Sequence, residues 1–187
     1  FGFQTISTST NCLTGTDRVA EASKKINSEI YINVQGDEPL VKPEDIKKVI
    51  DLKLKYPNHV VCGYTEISKN ENPLNKNIPK VVLNEKDELI YISRSLVPGS
   101  KDERLSTKSK YFKQVCIYAF NKYELDKFSL LRKKSTIERL EDIEILRFFE
   151  FGIKIKMAKT TSGSLAVDQE DDIKKVENLL KNNGKNN

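Results

Sequence analysis

Cysteine and histidine are scarce in this sequence. Its 187 residues include three cysteines and one histidine, and no two cysteines form a CxxC pair. Because a zinc site needs about four such ligands at short spacings, we expect none here. The odd, scattered count also argues against a disulfide scaffold, so we expect Cys12, Cys62 and Cys116 to be free thiols in a reducing compartment.

Long apolar runs and a secretion signal are absent as well. No apolar stretch approaches the roughly 20 residues that span a bilayer. The first residues, Phe1 to Gln4, do not form a charged segment followed by an apolar one. We therefore expect a cytoplasmic protein with no membrane partner.

Common nucleotide motifs and a nucleic-acid footprint are also missing. Neither GxGxxG nor GxxxxGK occurs, which excludes ordinary dinucleotide and P-loop sites. The formal net charge is +5, but basic and acidic residues mix along the helices instead of forming a basic stripe with aromatic residues. We expect no nucleic-acid partner.

The composition is that of one folded domain. Hydrophobic residues make up 37% and charged residues 32% of the chain, above the low-hydrophobicity range of disordered chains. A domain usually takes about 100–200 residues, so we expect a single domain over residues 1–187.

Strand and helix signals alternate along the first third of the chain. A capping-box pattern from Thr14 to Asp17 opens a short helix, and the β-branched run 30–34 predicts a buried strand of a parallel sheet. A second helix starts at Pro43, and residues 60–65 predict the next strand. This alternation predicts an α/β sheet.

The middle of the chain departs from that pattern. Residues 80–83 and 89–92 flank a polar turn, which predicts an antiparallel hairpin. Residues 111–120 predict a long strand whose alternation puts Gln114 and Tyr118 on one face. The sheet is therefore expected to be mixed.

The last third predicts a helix, a strand and a helix. A capping box at Ser135 opens the first of these helices, and Gly152 ends it. The strand at 153–157 follows, and the final helix comes after Asp168. The predicted apolar stripe of the first helix comprises Leu140, Ile143, Leu146 and Phe149.

Two aspartates follow buried strands, where α/β sheets place their ligands. They are Asp37 and Asp168. Mg²⁺ prefers one or two carboxylates together with phosphate oxygens and water, so the pair suits a nucleotide-bound ion. A turn aspartate at position 37 and a helix N-cap at position 168 explain the same pattern. The spacing leaves both interpretations open.

Two helix starts have a functional and a structural interpretation. The amide groups at Gly15 could receive a phosphate or a base with Arg18 as charge partner, or the helix is simply capped with Arg18 in solvent. Glu138 is explained locally as the capping-box partner of Ser135, and Glu141 as a solvated carboxylate. The functional alternative makes both glutamates acceptors for sugar hydroxyls.

Two motifs carry a resemblance to a known family. They are Leu13-Thr14-Gly15-Thr16-Asp17-Arg18-Val19-Ala20-Glu21 and Asn33-Val34-Gln35-Gly36-Asp37-Glu38-Pro39. Together they resemble the paired motifs of the CMP-Kdo synthetase (3-deoxy-manno-octulosonate cytidylyltransferase) family, and the second motif is highly specific. Further segments follow in the family's order, so the resemblance covers nearly the whole chain: 80–82, 91–94, 117–119, 137–147 and 166–171.

The resemblance implies a fold and an assembly. The fold is the Rossmann-like, three-layer α/β fold of nucleotide-diphospho-sugar transferases, with a mixed sheet and an antiparallel dimerisation insertion at about 95–135. A homodimer is implied. We expect its interface to cover the apolar members of Tyr111, Phe112 and Phe120.

The resemblance also implies an enzyme, a nucleotidyltransferase that uses CTP and a 2-keto-3-deoxy sugar acid, with Kdo as the first candidate. The anomeric hydroxyl attacks the α-phosphorus, and CMP-sugar and pyrophosphate form for lipopolysaccharide or capsule synthesis. Two alternatives stand beside it. One is another acid sugar, such as an amino-Kdo or a nonulosonate, and the other is a non-catalytic sugar-nucleotide-binding or dimerisation module.

The resemblance assigns roles by position. Asp37 and Asp168 are implied to be the ligands of Mg²⁺, the implied cofactor, and Arg94 a catalytic residue near the acceptor. The implied nucleotide contacts are Gly15, Thr16 and Arg18. The implied sugar contacts are Gln35, Gln114, Tyr118, Glu138 and Glu141.

The sequence departs from the family pattern at two places. The family begins with a strand and a basic, glycine-containing loop that grips the triphosphate, and this sequence starts after the position where both belong. Either the 187 residues are a fragment of a longer protein or the protein is a degenerate relative, and in both cases we expect an N-terminally truncated fold that binds CTP weakly and is inactive by itself. Gln114 stands where many members carry a histidine beside the sugar, which leaves the acid sugar open.

Overall fold

A computed structural model describes residues 2–102, 110–161, 167 and 170–183. In chain order the elements are α1 (Gly15–Ala22), β1 (Tyr31–Val34), α2 (Pro43–Lys55), β2 (Val60–Glu66), β3 (Lys80–Leu83), β4 (Leu89–Ser93), β5 (Phe112–Phe120), α3 (Lys122–Leu130), α4 (Thr136–Glu141), a 3-10 helix (Glu144–Phe151), β6 (Ile155–Lys159) and α5 (Glu170–Asn183). The predicted α/β class is confirmed. None of the described helices is long and apolar enough to cross a membrane.

The central strand of the sheet is β5. One edge of β5 pairs antiparallel with β2, and the other edge pairs antiparallel with both β3 and β1. The sheet continues from β2 to β6 in parallel and from β3 to β4 in antiparallel orientation. The mixed sheet and the β3–β4 hairpin are therefore confirmed. The expected parallel neighbour of β1 is replaced by β5, although β1 and β2 run in the same direction because both oppose β5.

The two faces of β5 carry two hydrophobic clusters. Val115, Ile117 and Ala119 lie on one face with Val49 of α2. Tyr118 and Phe120 lie on the other face, in the larger cluster that the 3-10 helix and α3 complete with aromatic side chains. The alternation read from the sequence is confirmed, and Gln114 shares the face of Tyr118, to which it donates a hydrogen bond.

The helix after Ser135 is shorter than predicted. It ends at Glu141, because Asp142 adopts the left-handed conformation at φ 51° and the chain continues as a 3-10 helix up to Gly152 at φ 62°. Leu140 is consequently 76% exposed, so the predicted four-residue buried stripe is wrong. Residues three apart share a face of a 3-10 helix, and this repeat turns Glu144 and Arg147 together toward α1.

The expectation that a second subunit covers the aromatic residues of β5 is wrong as well. Tyr111 and Phe120 are buried within the chain, and the half-buried Phe112 packs against the same core. The three cysteines are free, as expected. In α5, Val176 is buried while Ile173 is half exposed.

A buried ion pair fastens α2 to α3. Lys53 Nζ lies 2.7 Å from both carboxylate oxygens of Glu124 and also donates to the carbonyls of Pro57 and His59. Glu124 in turn accepts from the amide of Asn121 and closes the capping box of α3. Burial lowers the pKa of Lys53 and raises that of Glu124.

We expect Lys53→Met to destabilise the protein by about 3–5 kcal/mol, because it leaves the Glu124 carboxylate buried without its cation. Urea unfolding measures the loss. Lys122→Met is the matched control, since Lys122 pairs with Asp126 at the surface and its loss costs about 1 kcal/mol at most.

The double variant Lys53→Met, Glu124→Leu removes both buried charges and should recover most of the lost stability. A loss below about 1 kcal/mol for Lys53→Met alone would show that the Glu124 carboxylate does not depend on Lys53 as its buried partner.

Candidate functional site

The start of α1 is fixed by the hydrogen bonds that its sequence predicts. Thr14 is the N-cap, and its Oγ1 accepts from the amide of Asp17 at 3.2 Å. The same hydroxyl donates to Asp17 Oδ2 at 2.8 Å. The helix therefore begins at Gly15, with the backbone of the first turn held in place.

Three polar side chains converge on Gly15. A Cβ at this position would lie 3.4 Å from Gln35 Nε2, 3.5 Å from Asn33 Nδ2 and 3.8 Å from Glu144 Oε1. Asn33 lies in β1, Gln35 lies in the turn after it, and Glu144 is the first residue of the 3-10 helix. Because Gly15 has no side chain, these three polar groups approach the first turn of α1 closely.

Glu144 links the first turn of α1 to the turn after β1 through two hydrogen bonds. Its Oε2 accepts from the amide of Thr16 at 2.9 Å, and its Oε1 accepts from Gln35 Nε2 at 2.7 Å. Burial raises the pKa of Glu144 despite these hydrogen bonds. The sequence reasoning missed this residue; the available signal was the spacing of three that Glu144 shares with Glu138 and Glu141.

Asn33 is the second residue that the sequence reasoning missed. It is 9% exposed, and among the described residues its Nδ2 has no hydrogen-bond partner. A buried donor without an acceptor costs about 1–3 kcal/mol, which makes such groups rare unless water or a ligand satisfies them. A polar side chain within the apolar run 30–34 was the signal that could have identified it.

The β1–β5 register extends the polar surface. Asn33 lies directly opposite Tyr118, so their side chains are neighbours on one face of the sheet. The Tyr118 hydroxyl accepts from Gln114 Nε2 at 2.9 Å. We call this set the polar strip; it comprises Gln114, Tyr118, Asn33, Gln35 and Glu144. The structure thus brings the predicted sugar contact Gln35 beside the predicted nucleotide contact Gly15, while Gln114 and Tyr118 continue the strip from Asn33 along β5.

Arg94 and Glu141 form a second cluster, at the end of β4. The Arg94 guanidinium donates to the carbonyls of Glu141, Asp142 and Lys76, at 2.5, 3.0 and 3.1 Å. The Glu141 carboxylate accepts from the Arg94 amide at 2.8 Å and from Ser93 Oγ at 2.7 Å. Burial alone would raise the pKa of Glu141, but these hydrogen bonds outweigh it and lower the pKa. Glu141 is therefore not the solvated carboxylate that the structural interpretation expected.

Glu138 is fully buried below the strip. Its two oxygens accept from Arg147 Nη2 and Nε at 2.6 and 2.7 Å, and Oε2 also accepts from the Ser135 amide at 2.9 Å. The capping-box interpretation of Glu138 is confirmed. Its sugar contact stays a prediction from the resemblance, and the structure presents no exposed Glu138 oxygen for it.

Asp37 is exposed in the turn after β1. Its carbonyl accepts from the amide of Val167 at 2.8 Å. Val167 directly precedes Asp168, which lies outside the described residues. Next to Asp37, the buried Glu38 accepts from the amide of Cys116 at 2.8 Å and anchors the turn to β5; burial raises the pKa of Glu38.

Arg18 is exposed one turn into α1. Its Nη1 donates to Thr8 Oγ1 at 2.8 Å and to the Ser9 carbonyl at 3.2 Å. The start of α1 thus combines the predicted cap at Thr14 with an Arg18 side chain that is exposed to solvent.

Comparison with known proteins gives a consistent result. Residues 1–155 match the sequence profile of a family described as cytidylyltransferase. A 3-deoxy-manno-octulosonate cytidylyltransferase of Koribacter versatilis is 39% identical over 167 residues, which cover 89% of this chain and 62% of that protein. The protein of the same name from Chloroherpeton thalassium is 36% identical, with 96% and 73% covered. This chain thus spans roughly two thirds of the length of these relatives.

Solved structures agree in fold. A CMP:2-keto-3-deoxy-manno-octonic acid synthetase complexed with CTP superposes with a TM-score of 0.82 at 32% identity, covering 91% of this chain and 69% of that one. A 4-diphosphocytidyl-2C-methyl-D-erythritol synthase from Anaerococcus prevotii gives a TM-score of 0.55 at 16% identity, covering 94% and 68%. The second likeness shows the fold alone. The expected Rossmann-like transferase fold is confirmed.

We expect the Glu144 carboxyl to make stability depend on pH. Its pKa in the folded protein lies above the ordinary 4.5, so folding favours its protonated form. The stability that comes from this preference is fully present below pH 4.5, the ordinary pKa of the group. It is lost as the pH rises through the raised pKa of the folded protein. The free energy of unfolding of the wild type, minus that of Glu144→Gln, should therefore fall as the pH rises.

Urea unfolding of both proteins from about pH 4 to about pH 8 measures this difference. Glu150→Gln, an exposed change on the same 3-10 helix, is the matched control. A constant difference between wild type and Glu144→Gln across that range would contradict the prediction.

Proposed function

This chain belongs to the cytidylyltransferase family, and from that membership we propose that it transfers CMP from CTP to a 2-keto-3-deoxy sugar acid, with Kdo as the first candidate. The observation that carries the proposal is the convergence of Asn33, Gln35 and Glu144 on the first turn of α1. The names of the relatives and the CTP complex of the similar synthetase support it. The cytoplasmic location remains part of the proposal.

On the nucleotide side, we assign Gly15, Thr16 and Arg18. The dipole of α1 favours an anionic group near the start of the helix, although the amides of Thr16 and Asp17 already donate to Glu144 and Thr14. The exposed Arg18 guanidinium adds a positive charge that can approach a phosphate. The capped first turn supplies a fixed backbone for these contacts.

On the acceptor side, we assign the polar strip. A sugar acid offers several hydroxyls that both donate and accept, and the strip mixes donors with acceptors in the same way. Asn33 Nδ2, the buried donor without a partner among the described residues, would bond to an acceptor oxygen of the sugar. Gln114 already donates to Tyr118, so it positions that hydroxyl, and other acid sugars remain alternatives to Kdo.

Arg94 is assigned to the acceptor side as well. Its three bonds to carbonyl oxygens fix the plane of the guanidinium. A guanidinium carries five N–H groups, so two remain for a sugar carboxylate. Glu141 holds the Arg94 backbone and thereby the position of that charge.

We propose that Asp37 and Asp168 hold Mg²⁺. Asp37 fits this role because its carboxylate is exposed at the end of β1, and the segment that contains Val167 is bonded to the Asp37 carbonyl. Among the described residues, no group of three or more His, Cys, Asp or Glu suits a metal ion, whereas Mg²⁺ takes one or two carboxylates and completes its shell with water and phosphate oxygens. When bound, Mg²⁺ supplies positive charge to the reacting phosphates.

In the proposed reaction, the anomeric oxygen forms a bond to the α-phosphorus while the bond to pyrophosphate breaks, and the hydroxyl proton is released. The residues described here bind and orient the two substrates. The α1 start holds the nucleotide and the polar strip turns the sugar toward it, and such alignment contributes much of the rate of a two-substrate reaction.

We expect Asp37→Asn to lower pyrophosphate release by on the order of 100-fold or more, since it removes a charge that acts on the transition state. The assay uses the protein as its gene encodes it, with CTP, Mg²⁺ and Kdo. Because position 37 is an exposed turn, circular dichroism and urea unfolding should remain unchanged.

Asp51→Asn, an exposed change on α2, is the control for this assay. Near-normal pyrophosphate release by Asp37→Asn would remove Asp37 from the metal site.

We also propose a homodimer that uses the segment at about 95–135. Its support is now the exposed apolar surface of α3, where Tyr123 is 62% and Leu130 65% exposed. An isologous contact would cover both side chains in both subunits.

Light scattering at micromolar concentration should give twice the mass of one chain, and Leu130→Lys should shift the protein toward a monomer. Leu54→Lys, at a similarly exposed position on α2, is the control and should leave the mass unchanged. A monomeric wild type would refute the dimer.

A further inference from the structure

Arg147 lies fully buried between two carboxylates and an aromatic ring. It donates from Nε and Nη2 to both oxygens of Glu138, at 2.7 and 2.6 Å. It also donates from Nη1 and Nη2 to Asp17, at 2.8 and 3.4 Å. Its guanidinium carbon lies 3.8 Å from the ring centre of Phe128. Every guanidinium nitrogen therefore has a carboxylate partner.

The charges of this cluster fix its geometry. Burial alone would lower the pKa of Arg147, but the hydrogen bonds to Glu138 and Asp17 outweigh burial and raise it. A buried ion pair adds little net stability over apolar packing, yet its fork of hydrogen bonds permits one arrangement only. The cluster is thus better suited to setting positions than to adding stability.

Arg147 joins three elements of the chain, and one of them, α1, is distant in sequence. Asp17 belongs to the first turn of α1 and Glu138 to the first turn of α4, while Arg147 lies in the 3-10 helix. Three residues earlier on the same helix, Glu144 accepts from the amide of Thr16. The 3-10 helix therefore binds two consecutive residues of α1. Glu144 binds Thr16, and Arg147 binds Asp17.

We propose that Arg147 is a positioning residue that acts through Asp17. It sets the first turn of α1, and with it the nucleotide contacts at Gly15 and Thr16, at a fixed place relative to Glu144 of the polar strip. This proposal rests on the proposed cytidylyltransferase function. Loss of the Asp17 contact leaves the first turn held by Glu144 and the Thr14 cap only, so CTP should bind more weakly while acceptor contacts persist.

Asp17→Asn is the most direct test. It removes the negative charge, keeps the size of the side chain, and leaves the Glu138–Arg147 pair and the Thr14 cap intact. Asp51→Asn is the matched control, because Asp51 is exposed on α2, away from the proposed site and the proposed dimer contact. Both variants are prepared in the protein as its gene encodes it.

Steady-state kinetics and amide hydrogen exchange are the two measurements. For Asp17→Asn we expect the KM for CTP to rise about tenfold, with kcat and the KM for the sugar acid changed less than about twofold. Exchange should accelerate at residues 16–19 and stay unchanged in α3. Asp51→Asn should change none of these quantities.

Arg147→Lys keeps the buried charge but loses the fork, and it should reproduce the rise in the KM for CTP. The double variant Asp17→Asn, Arg147→Lys should then be no worse than the worse single variant, because both changes break the same contact.

An unchanged KM for CTP with unchanged exchange at 16–19 would overturn the positioning role. So would equal rises of both KM values together with faster exchange throughout the chain, since that pattern marks a structural residue only. If the wild type releases no pyrophosphate from CTP with any 2-keto-3-deoxy sugar acid, the proposed function fails. Amide exchange at residues 16–19 in Asp17→Asn then tests separately whether Arg147 positions the first turn of α1.

Discussion

The register of β5 is the constraint on which the candidate site depends. Because side chains alternate along a strand, the pairing that sets Asn33 opposite Tyr118 also decides which apolar residues of β5 face each of the two clusters. A slip by one residue would turn Tyr118 toward α2 and Ile117 toward the 3-10 helix. Glu38 helps to prevent this slip. Its carboxylate binds the amide of Cys116 at the place where the pairing of β5 with β2 shifts register.

Buried cations fasten the helices and loops around that sheet. Lys53 joins α2 to α3 through Glu124, and Arg147 joins the 3-10 helix to α1 and α4. Lys80 is a third buried cation. It donates to the carbonyls of Asn75 and Arg94, and burial lowers its pKa. Lys53 and Arg147 each reach an element distant in sequence, whereas Lys80 holds the two ends of its own hairpin region together. The polar strip thus lies among segments that are held from several sides.

The sequence predicted the features whose physical cause is local. The caps at Thr14 and Ser135 depend on residues a few positions apart, and both are present. Gly152 is also a left-handed stop, but it ends the 3-10 helix and not the helix that begins after Ser135. The break after Glu141 was missed because it depends on tertiary contacts. Glu144 binds Thr16 across 128 positions of sequence, and Arg147 binds Asp17 across 130. Neither partner is visible in a local pattern. Asp37 was singled out by its place after a strand, and its role came from the resemblance.

The charge balance of the site argues for a cation in the proposed reaction. CTP brings several negative charges to a surface that already carries the carboxylates of Asp37 and Glu144. Arg147 cannot offset them, because Asp17 and Glu138 already take up its charge. Arg18 is exposed and close to the start of α1, but one guanidinium does not balance a triphosphate. Like charges in a partly buried site repel strongly. The proposal of Mg²⁺ at Asp37 and Asp168 therefore follows from electrostatics as well as from the resemblance, since it converts an acidic edge of the sheet into a surface that accepts phosphate.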